Sequence, residues 1–192
     1  KGAIHYLRNE ELIENKDYLK SRVSKKKIVS LIIGGPNRYY DYDEKIIGGI
    51  FSKIENNFIK SGYQLIIIPS MRTPKKIIEK AKSFFGEEEI IIEDVNKKAY
   101  LSALWLANYI IVTCDSTSMI SEAAMTGKPI YVAQMPPVKK NIRFQKFFKL
   151  FESLNITRNL ENSIDKWNYE KLDETNRISS YIKEQFVKYD FS

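Results

Sequence analysis

The sequence predicts an α/β protein with a Rossmann-like parallel sheet of about five strands and helices on both faces. Short apolar runs rich in β-branched residues alternate with helical patterns, an order that implies right-handed crossovers between parallel strands. The stretch from Tyr109 to Val132 shows this order best, because a strand, a polar turn, a helix, a glycine and a second strand follow one another. Small hydroxyl side chains where such a strand meets a helix are typical of ligand sites in open α/β sheets.

The composition is that of a globular protein without internal disulfides. The chain has 192 residues, 43% of them apolar and 29% charged, and its one cysteine is Cys114. With a single histidine, His5, we expect neither a Ser-His-Asp triad nor a metal site. No apolar run approaches the ~20 residues that a membrane-spanning helix needs. We therefore expect a cytoplasmic protein, or one that is peripheral at the inner face of a membrane.

The formal net charge of +7 has two interpretations. A basic surface attracts nucleic acid, anionic lipid or a phosphorylated ligand. Alternatively, the abundance of Lys, Ile, Asn and Tyr reflects A/T-rich codons. The lysines are spread along the chain and no nucleic-acid-binding signature accompanies them, so we expect no nucleic-acid partner.

Residues 1–27 form a lead-in or linker segment, and the absence of an initiator methionine at Lys1 suggests a fragment of a longer protein. The first strand, Ile28–Ile33, is followed by Gly34 and Gly35. Two glycines after a strand allow a tight turn and bring backbone N–H groups close to a ligand, typically a phosphate. A plain turn from strand to helix is the equal alternative, because the complete dinucleotide-binding pattern is absent.

The next helix begins after Asp43, an N-cap residue, and ends before Gly62. The second strand is predicted at Tyr63–Ile68. A helical run follows over Lys75–Phe85. Thr73 is predicted to be the N-cap of this helix, with Pro74 at the first helical position.

Arg72 lies between that strand and that helix. The guanidinium group of an arginine at the carboxyl end of a strand, beside a helix N-terminus, is suited to a phosphate group. The alternative is a solvated arginine that pairs with a neighbouring acid.

A third strand is expected at Glu89–Ile92, and Asn96 is expected to cap a helix over Lys97–Ala107 that faces the core with Leu101, Leu104 and Trp105. The fourth and fifth strands belong to the stretch from Tyr109 to Val132. Between them come four residues that favour helix N-termini: Asp115, Ser116, Thr117 and Ser118.

Two further helices are predicted near the end of the chain. Residues from Ile142 to Leu154 form a basic, phenylalanine-bearing amphipathic pattern, which favours the core but also suits an anionic membrane surface. Residues 156–192 are expected to form a helical appendage, with a helix from Trp167 to Phe186.

Three of these loops follow parallel strands, so we expect them to line one edge of the sheet together. Glycine N–H groups, an arginine, hydroxyl groups and helix N-termini at one edge are the components of a phosphate or diphosphate site. Glu122 is one helical turn beyond Ser118 and could accept hydrogen bonds from sugar hydroxyls. Its alternative roles are to balance the helix dipole or to pair with a lysine. The predicted binding residues are Gly34, Gly35, Arg72, Thr73, Asp115, Ser116, Thr117, Ser118 and Glu122.

The motifs occur in an order that resembles a known family. GGPN, SMRTP, an Asn-x-x-x-Tyr pair and VTCDSTSMISEAAMTGKPIYV follow one another between Gly2 and Leu154. This order is similar to that of the mitochondrial fission family of plants and its bacterial relatives. Met71 stands where the family's second motif has its first arginine.

The resemblance implies a function as well as a fold. Such families resemble GT-B glycosyltransferases, in which two Rossmann-like domains close over a nucleotide-sugar. Residues 28–155 would then be the C-terminal, nucleotide-sugar-binding domain, and its N-terminal acceptor domain would be a partner from the same protein. Bacterial members are described as predicted nucleotide-sugar enzymes, and plant members are implicated in recruiting a dynamin-related protein.

The resemblance also assigns residues. Glu122 would bind ribose, and Ser116 and Ser118 would bind phosphate, although Ser116 stands where nucleotide-sugar transferases often have glycine. The nucleotide-sugar would be a substrate, and no cofactor or metal is expected. No catalytic base is implied; Asp115 is the one local acid, with an N-cap as its alternative role.

The alternative to a transferase is a non-catalytic adaptor that acts through protein or membrane contacts. A classical nucleotide-sugar epimerase fits poorly, because its glycine motif and its Tyr-x-x-x-Lys pair are absent.

Overall fold

The computed structural model describes residues 7–25, 27–161, 163–172, 178–182 and 184–185. Within them the chain forms a six-stranded sheet flanked by helices. The strands are β1 (Ile28–Ile33), β2 (Gln64–Pro69), β3 (Ile90–Ile91), β4 (Tyr109–Thr113), β5 (Ile130–Ala133) and β6 (Thr157–Asn159). The α-helices are α1 (Asn9–Asn15), α2 (Glu44–Asn57), α3 (Lys75–Phe85), α4 (Lys97–Leu106), α5 (Thr117–Ala124) and α6 (Ile142–Ser153).

The sheet is parallel throughout and has the strand order β3-β2-β1-β4-β5-β6. The chain therefore builds outward from β1 to β3 and then returns to place β4 on the other side of β1. This reversal is a topological switch point, where open α/β sheets bind ligands. Every residue of β1, β2, β4 and β5 is buried, as expected for strands covered on both faces.

The structure confirms the Rossmann-like α/β class. The sequence predicted about five strands, and the sixth is the short edge strand β6, which pairs with β5. β6 brings three residues into the sheet from the segment that was expected to be a helical appendage.

Several helix ends form where the sequence places them. Asp43 accepts hydrogen bonds from the backbone N–H groups of Lys45 and Ile46, at 2.8 and 3.2 Å, and so caps α2. Asn96 caps α4 in the same way through Ala99 N–H, at 3.0 Å. After α5, Gly127 has φ 72°, a left-handed conformation that favours glycine and turns the chain into β5.

Two predictions about single elements are wrong. Trp105 does not face the core, since its side chain is 42% exposed on α4. The helix expected from Trp167 to Phe186 is not formed at residues 167–172, which are irregular. Helical backbone is described at 178–182 and 184–185, whereas 173–177, 183 and 186–192 lie outside the described residues.

The described part of the lead-in segment packs on the sheet domain. Leu7, Leu12 and Leu19 are buried in the hydrophobic core. Ser102 of α4 joins the two parts, because its hydroxyl accepts from Leu19 N–H and donates to the carbonyl of Lys16, both at 3.0 Å. Residues 1–6, including His5, and residue 26 lie outside the described ranges.

None of the helices in the described ranges is long and apolar enough to span a membrane.

Candidate functional site

A buried carboxylate, that of Asp115, lies at the switch point between β1 and β4. Its side chain is fully buried and accepts four hydrogen bonds. Tyr42 and Thr113 donate their hydroxyls to Oδ1, at 2.5 and 2.7 Å. Gly35 N–H and Arg72 Nη2 donate to Oδ2, at 3.1 and 2.9 Å. One carboxylate therefore joins the loops that follow β1, β2 and β4, which are the three loops that the sequence predicted to meet.

The two glycines after β1 are required by close contacts. A Cβ atom on Gly34 would lie 2.1 Å from Asp115 Oδ2, and one on Gly35 would lie 2.0 Å from the carbonyl oxygen of Arg72. Both N–H groups also have internal acceptors, since Gly34 donates to Thr113 Oγ1 at 2.8 Å and Gly35 donates to Asp115. In this structure the glycine pair therefore lets the loops approach one another.

Arg72 pairs with a neighbouring acid, as one of its two interpretations expected, and its role in binding phosphate stays a prediction. Its Nη2 pairs with Asp115, while Nη1 donates to the carbonyls of Gly35 and Pro36, at 2.9 and 3.3 Å. The side chain is nevertheless 43% exposed. Its Nε–H and the second proton of Nη2 have no acceptor among the described residues, so this face of the guanidinium group is open to an anion.

Thr73 is not the N-cap of α3. Its hydroxyl donates to the carbonyls of Ile33 and Gly34, at 2.8 and 2.7 Å, and accepts from Ser70 N–H at 2.8 Å. Thr73 thus links the loop after β2 to the end of β1. The N-cap is Pro74, which has no side-chain hydrogen bond to offer, so the first N–H groups of α3 are left without a side-chain cap.

The N-terminus of α5 has two unused hydroxyl groups. Ser116 is the N-cap and accepts from Met119 N–H at 3.4 Å, so the N-cap alternative for Asp115 is wrong. Thr117 is half-buried and Ser118 is exposed, and neither hydroxyl has a hydrogen-bond partner in the described ranges. With the N–H groups of the first turn, these hydroxyls offer donors to an anion.

Glu122, one turn further along α5, is half-buried and has a partner on α4. Tyr100 donates its hydroxyl to Glu122 Oε2 at 2.5 Å. Burial, together with the negative charge of Glu122, raises the pKa of Tyr100, so the phenol keeps its proton. This contact orients the carboxylate and leaves Oε1 for another donor.

Tyr42 and Asn37 are the residues of the site that sequence reasoning missed. Burial and then the charge of Asp115 raise the pKa of Tyr42, which stays a donor. Asn37 donates from Nδ2 to the carbonyl of Asp115 at 3.1 Å and accepts from Tyr39 and Tyr40 N–H at 2.8 and 3.1 Å. The motif GGPN marked Asn37, but nothing in the sequence placed Tyr42 beside Asp115.

A cavity of about 430 Å³ lies farther along the same edge, beyond β5 and β6. It is lined by Gly49 and Lys53 of α2 and by Gln134, Asn159 and Glu161. No group of three or more His, Cys, Asp or Glu in the described part of the chain could hold a metal ion.

The fold and these contacts define a class: a Rossmann-like α/β protein with polar and cationic groups at its switch point. The particular family follows from comparison with known proteins. The chain matches the family "Mitochondrial fission ELM1" over residues 1–186 and belongs to it. The family resemblance read from the motifs is thereby confirmed.

Two curated relatives are similar to the chain. An uncharacterized protein of Rickettsia prowazekii (strain Madrid E), RP120, is 30% identical over 166 residues, which are 82% of this chain and 46% of that protein. The mitochondrial fission protein ELM1 of Arabidopsis thaliana is 26% identical over 165 residues, 84% of this chain and 38% of that protein. The chain thus spans less than half the length of both relatives.

Solved structures give weaker likenesses. A UDP-GlcNAc 2-epimerase from Neisseria meningitidis, bound to UDP-GlcNAc, has a TM-score of 0.48 at 13% identity, covering 93% of this chain and 44% of that chain. The wall teichoic acid polymerase TagF has a TM-score of 0.40 at 16% identity, covering 65% of this chain and 28% of that chain. TM-scores at this level do not define a shared site or activity.

Proposed function

We propose that this chain is the nucleotide-sugar-binding domain of a GT-B-like glycosyltransferase that needs no metal. The observation that carries the proposal is the group of unused donors at the switch point: the open face of Arg72, the first turn of α5, and the hydroxyls of Thr117 and Ser118. The rest of the active site, including a catalytic base, would come from an N-terminal domain of the same protein. A cytoplasmic location belongs to the same proposal.

The diphosphate would lie between Arg72 and the start of α5. A guanidinium group and helix N–H groups both stabilise phosphate oxygens. Asp115 would position Arg72 without contacting substrate, because its carboxylate is buried and occupied by four donors.

The ribose would lie on Glu122. Its Oε2 is held by Tyr100, and its Oε1 has no partner among the described residues, so one carboxylate oxygen is available to sugar hydroxyls. Oriented acceptors of this kind discriminate ligands that carry the matching hydroxyl group.

Calorimetric titration with UDP, GDP, CMP and their sugars tests the proposal. We expect Ser118→Ala and Thr117→Val to weaken binding of the diphosphate ligand. Arg72→Ala should weaken it about tenfold or more, the loss of one hydrogen bond to a charged group. Glu122→Ala should weaken the binding of the nucleotide but leave the binding of inorganic pyrophosphate unchanged.

Exposed residues elsewhere supply matched controls. Arg22→Ala and Glu79→Ala remove the same groups from exposed positions outside the site and should leave binding unchanged. Because Arg72 also contacts Asp115, each variant's thermal unfolding is measured alongside. Absence of binding for every nucleotide, with all variants folded, would overturn the proposal.

The second candidate function is an adaptor that contacts an anionic membrane surface. Its support is the exposed side of α6, where Ile142 is 69% exposed, together with exposed cations of the same helix and of the loop before it. The phenylalanines do not take part, because Phe151 is buried and Phe144, Phe147 and Phe148 pack against the core. None of these cations forms an ion pair with a described residue. They are Lys139, Lys140, Arg143, Lys146 and Lys149.

Sedimentation with vesicles separates this candidate from the first. Phosphatidylcholine vesicles that also contain phosphatidylserine should carry the chain down, and pure phosphatidylcholine vesicles should not. Each basic residue near an anionic surface contributes ~1 kcal/mol, so Lys146→Glu with Lys149→Glu should abolish most binding. The control pair, Lys45→Glu with Lys98→Glu, makes the same charge change on other helices. Equal loss in both pairs would argue against a surface formed by α6.

A further inference from the structure

A pocket with two lysines and apolar walls lies at the opposite edge of the sheet from the switch point. Its volume is about 340 Å³, and its lining includes Leu12, Leu104, Trp105, Met125, Lys128 and Lys171. Leu104 and Trp105 lie in the last turn of α4, just before β4, and Lys128 lies just before β5. The amino ends of parallel strands share one edge, so this pocket lies at the other edge of the sheet from Asp115. Glu122 is nearer, because Met125, three residues after it, lines the pocket.

Lys128 is held at the C-terminus of α4. Its Nζ donates to the carbonyl of Leu104 at 2.9 Å and also to the carbonyl of Trp105. A cation is favourable there because the unpaired carbonyls of a helix C-terminus carry partial negative charge. One of the three ammonium protons remains without an acceptor among the described residues. Burial and then the charge of Lys171 lower the pKa of Lys128 to about 8.

Lys171 is placed in the pocket by its neighbours in the chain. Tyr169 donates its hydroxyl to the carbonyl of Lys128 at 2.8 Å, and Leu172 N–H donates to the carbonyl of Ala124 at 3.3 Å. The alkyl chain of Lys171 lies over Gly127, where an added Cβ would be 2.9 Å from Lys171 Cε. In the described ranges, no carboxylate forms an ion pair with Lys128 or Lys171.

The apolar side of the pocket is partly open. Leu12, Leu104 and Met125 are buried, whereas Trp105 is 42% exposed although it belongs to a helix that packs on the core. The role of Lys128 at the end of α4 explains Lys128 alone. It does not explain a second lysine beside it, nor an indole that lines the same pocket.

We propose that this pocket binds a small carboxylate with an apolar body. The carboxylate would lie between Lys128 and Lys171, and the body would pack on Trp105 and Leu104. Lys128 is half-buried and Lys171 is exposed. Two cations without a counter-ion among the described residues repel one another, so a carboxylate between them offsets the repulsion. The volume is at the lower end for ligand pockets, which favours a ligand of about ten non-hydrogen atoms.

Octanoate, with octan-1-ol and acetate as comparisons, tests the proposal. Octanoate should change the tryptophan fluorescence of the purified chain, and the change should be absent in Trp105→Phe, which keeps Trp167. Octanol lacks the carboxylate and so loses the hydrogen bond between charged groups, and it should bind at least about tenfold more weakly than octanoate. Acetate lacks the alkyl chain and so loses the buried apolar surface, and it should also bind at least about tenfold more weakly.

Lys171→Met is the deciding variant, because Lys128→Met also removes contacts that end α4. Lys171→Met should weaken octanoate about tenfold and leave octanol unchanged, since it removes a charge and retains an apolar chain. Lys166→Met, at an exposed position nearby in the sequence, is the control and should have no effect. Equal binding of octanoate and octanol, no effect of Lys171→Met, or no binding of octanoate would each overturn the proposal. Lys171 and Trp105 belong to this pocket and not to the proposed nucleotide site, so either proposal can fail alone.

Discussion

Replacing Asp115 with alanine removes the acceptor that four donors share at the switch point. The four donors differ in whether another acceptor is within reach once the carboxylate is gone. Tyr42 can donate to Thr113 Oγ1 instead, since these two oxygens are already 2.8 Å apart. Arg72 can reach water, because its side chain is 43% exposed. Gly35 N–H and the hydroxyl proton of Thr113 are buried and have no second acceptor in the described structure.

The magnitude follows from these two buried donors. Each unsatisfied group costs about 1–3 kcal/mol, while the half-exposed ion pair with Arg72 adds little, about 0–1 kcal/mol. We therefore expect Asp115→Ala to lower the free energy of unfolding by about 3 kcal/mol, within the large end of single substitutions. The loops after β1, β2 and β4 should also lose their mutual alignment.

Urea denaturation followed by circular dichroism measures this change. The slope of free energy against urea should stay the same, so that the shift in midpoint reports stability. Asp41→Ala is the matched control, because Asp41 is exposed in the neighbouring loop, and its effect should stay within about 0.5 kcal/mol. A loss below about 1 kcal/mol for Asp115→Ala would refute the reasoning, because the two buried donors would then cost nothing.

Two further predictions use glycines and one lysine. Gly35→Ala should destabilise the chain by about 1–3 kcal/mol, because the new Cβ would lie 2.0 Å from a backbone oxygen. Gly49→Ala should instead stabilise the chain by about 1 kcal/mol, since Gly49 lies inside α2 and no atom is within 4 Å of its added Cβ. Urea denaturation measures both, and equal effects would contradict the steric argument. For Lys128, the folded-state pKa is about 8 and the unfolded value is about 10, so the unfolded chain binds more protons in between. The stability of the wild type relative to Lys128→Met should therefore rise from about pH 8 to pH 10, and parallel pH profiles would contradict a lowered pKa.

Much of the fold follows from local sequence patterns. β1 and α3 have the predicted bounds, because apolar runs and helical periodicity are properties of neighbouring residues. β6 was not predicted, since three residues carry too little pattern and the strand depends on pairing with β5. Trp105 was predicted to face the core, but helical spacing does not reveal which sector the sheet covers.

The site was predicted in position and only partly in detail. The meeting of the loops after β1, β2 and β4 follows from parallel strands and their order. The contacts between these loops do not follow from the sequence, because Asp115 accepts a hydrogen bond from Tyr42, which is 73 residues away in the chain. Thr73 illustrates the same limit: as a hydroxyl before proline it resembles an N-cap, yet it bonds to the carbonyls at the end of β1.

By itself, the sequence determined the α/β class, most strand and helix positions, the family and the edge at which a ligand site is expected. These depend on periodicity, capping residues and motifs, which are local in the chain. Only the tertiary structure decided that Asp115 is a buried structural carboxylate, that Arg72 is shared between it and solvent, and that Tyr100 orients Glu122. Each of these is a contact between residues far apart in the chain, and burial and distance set its chemistry.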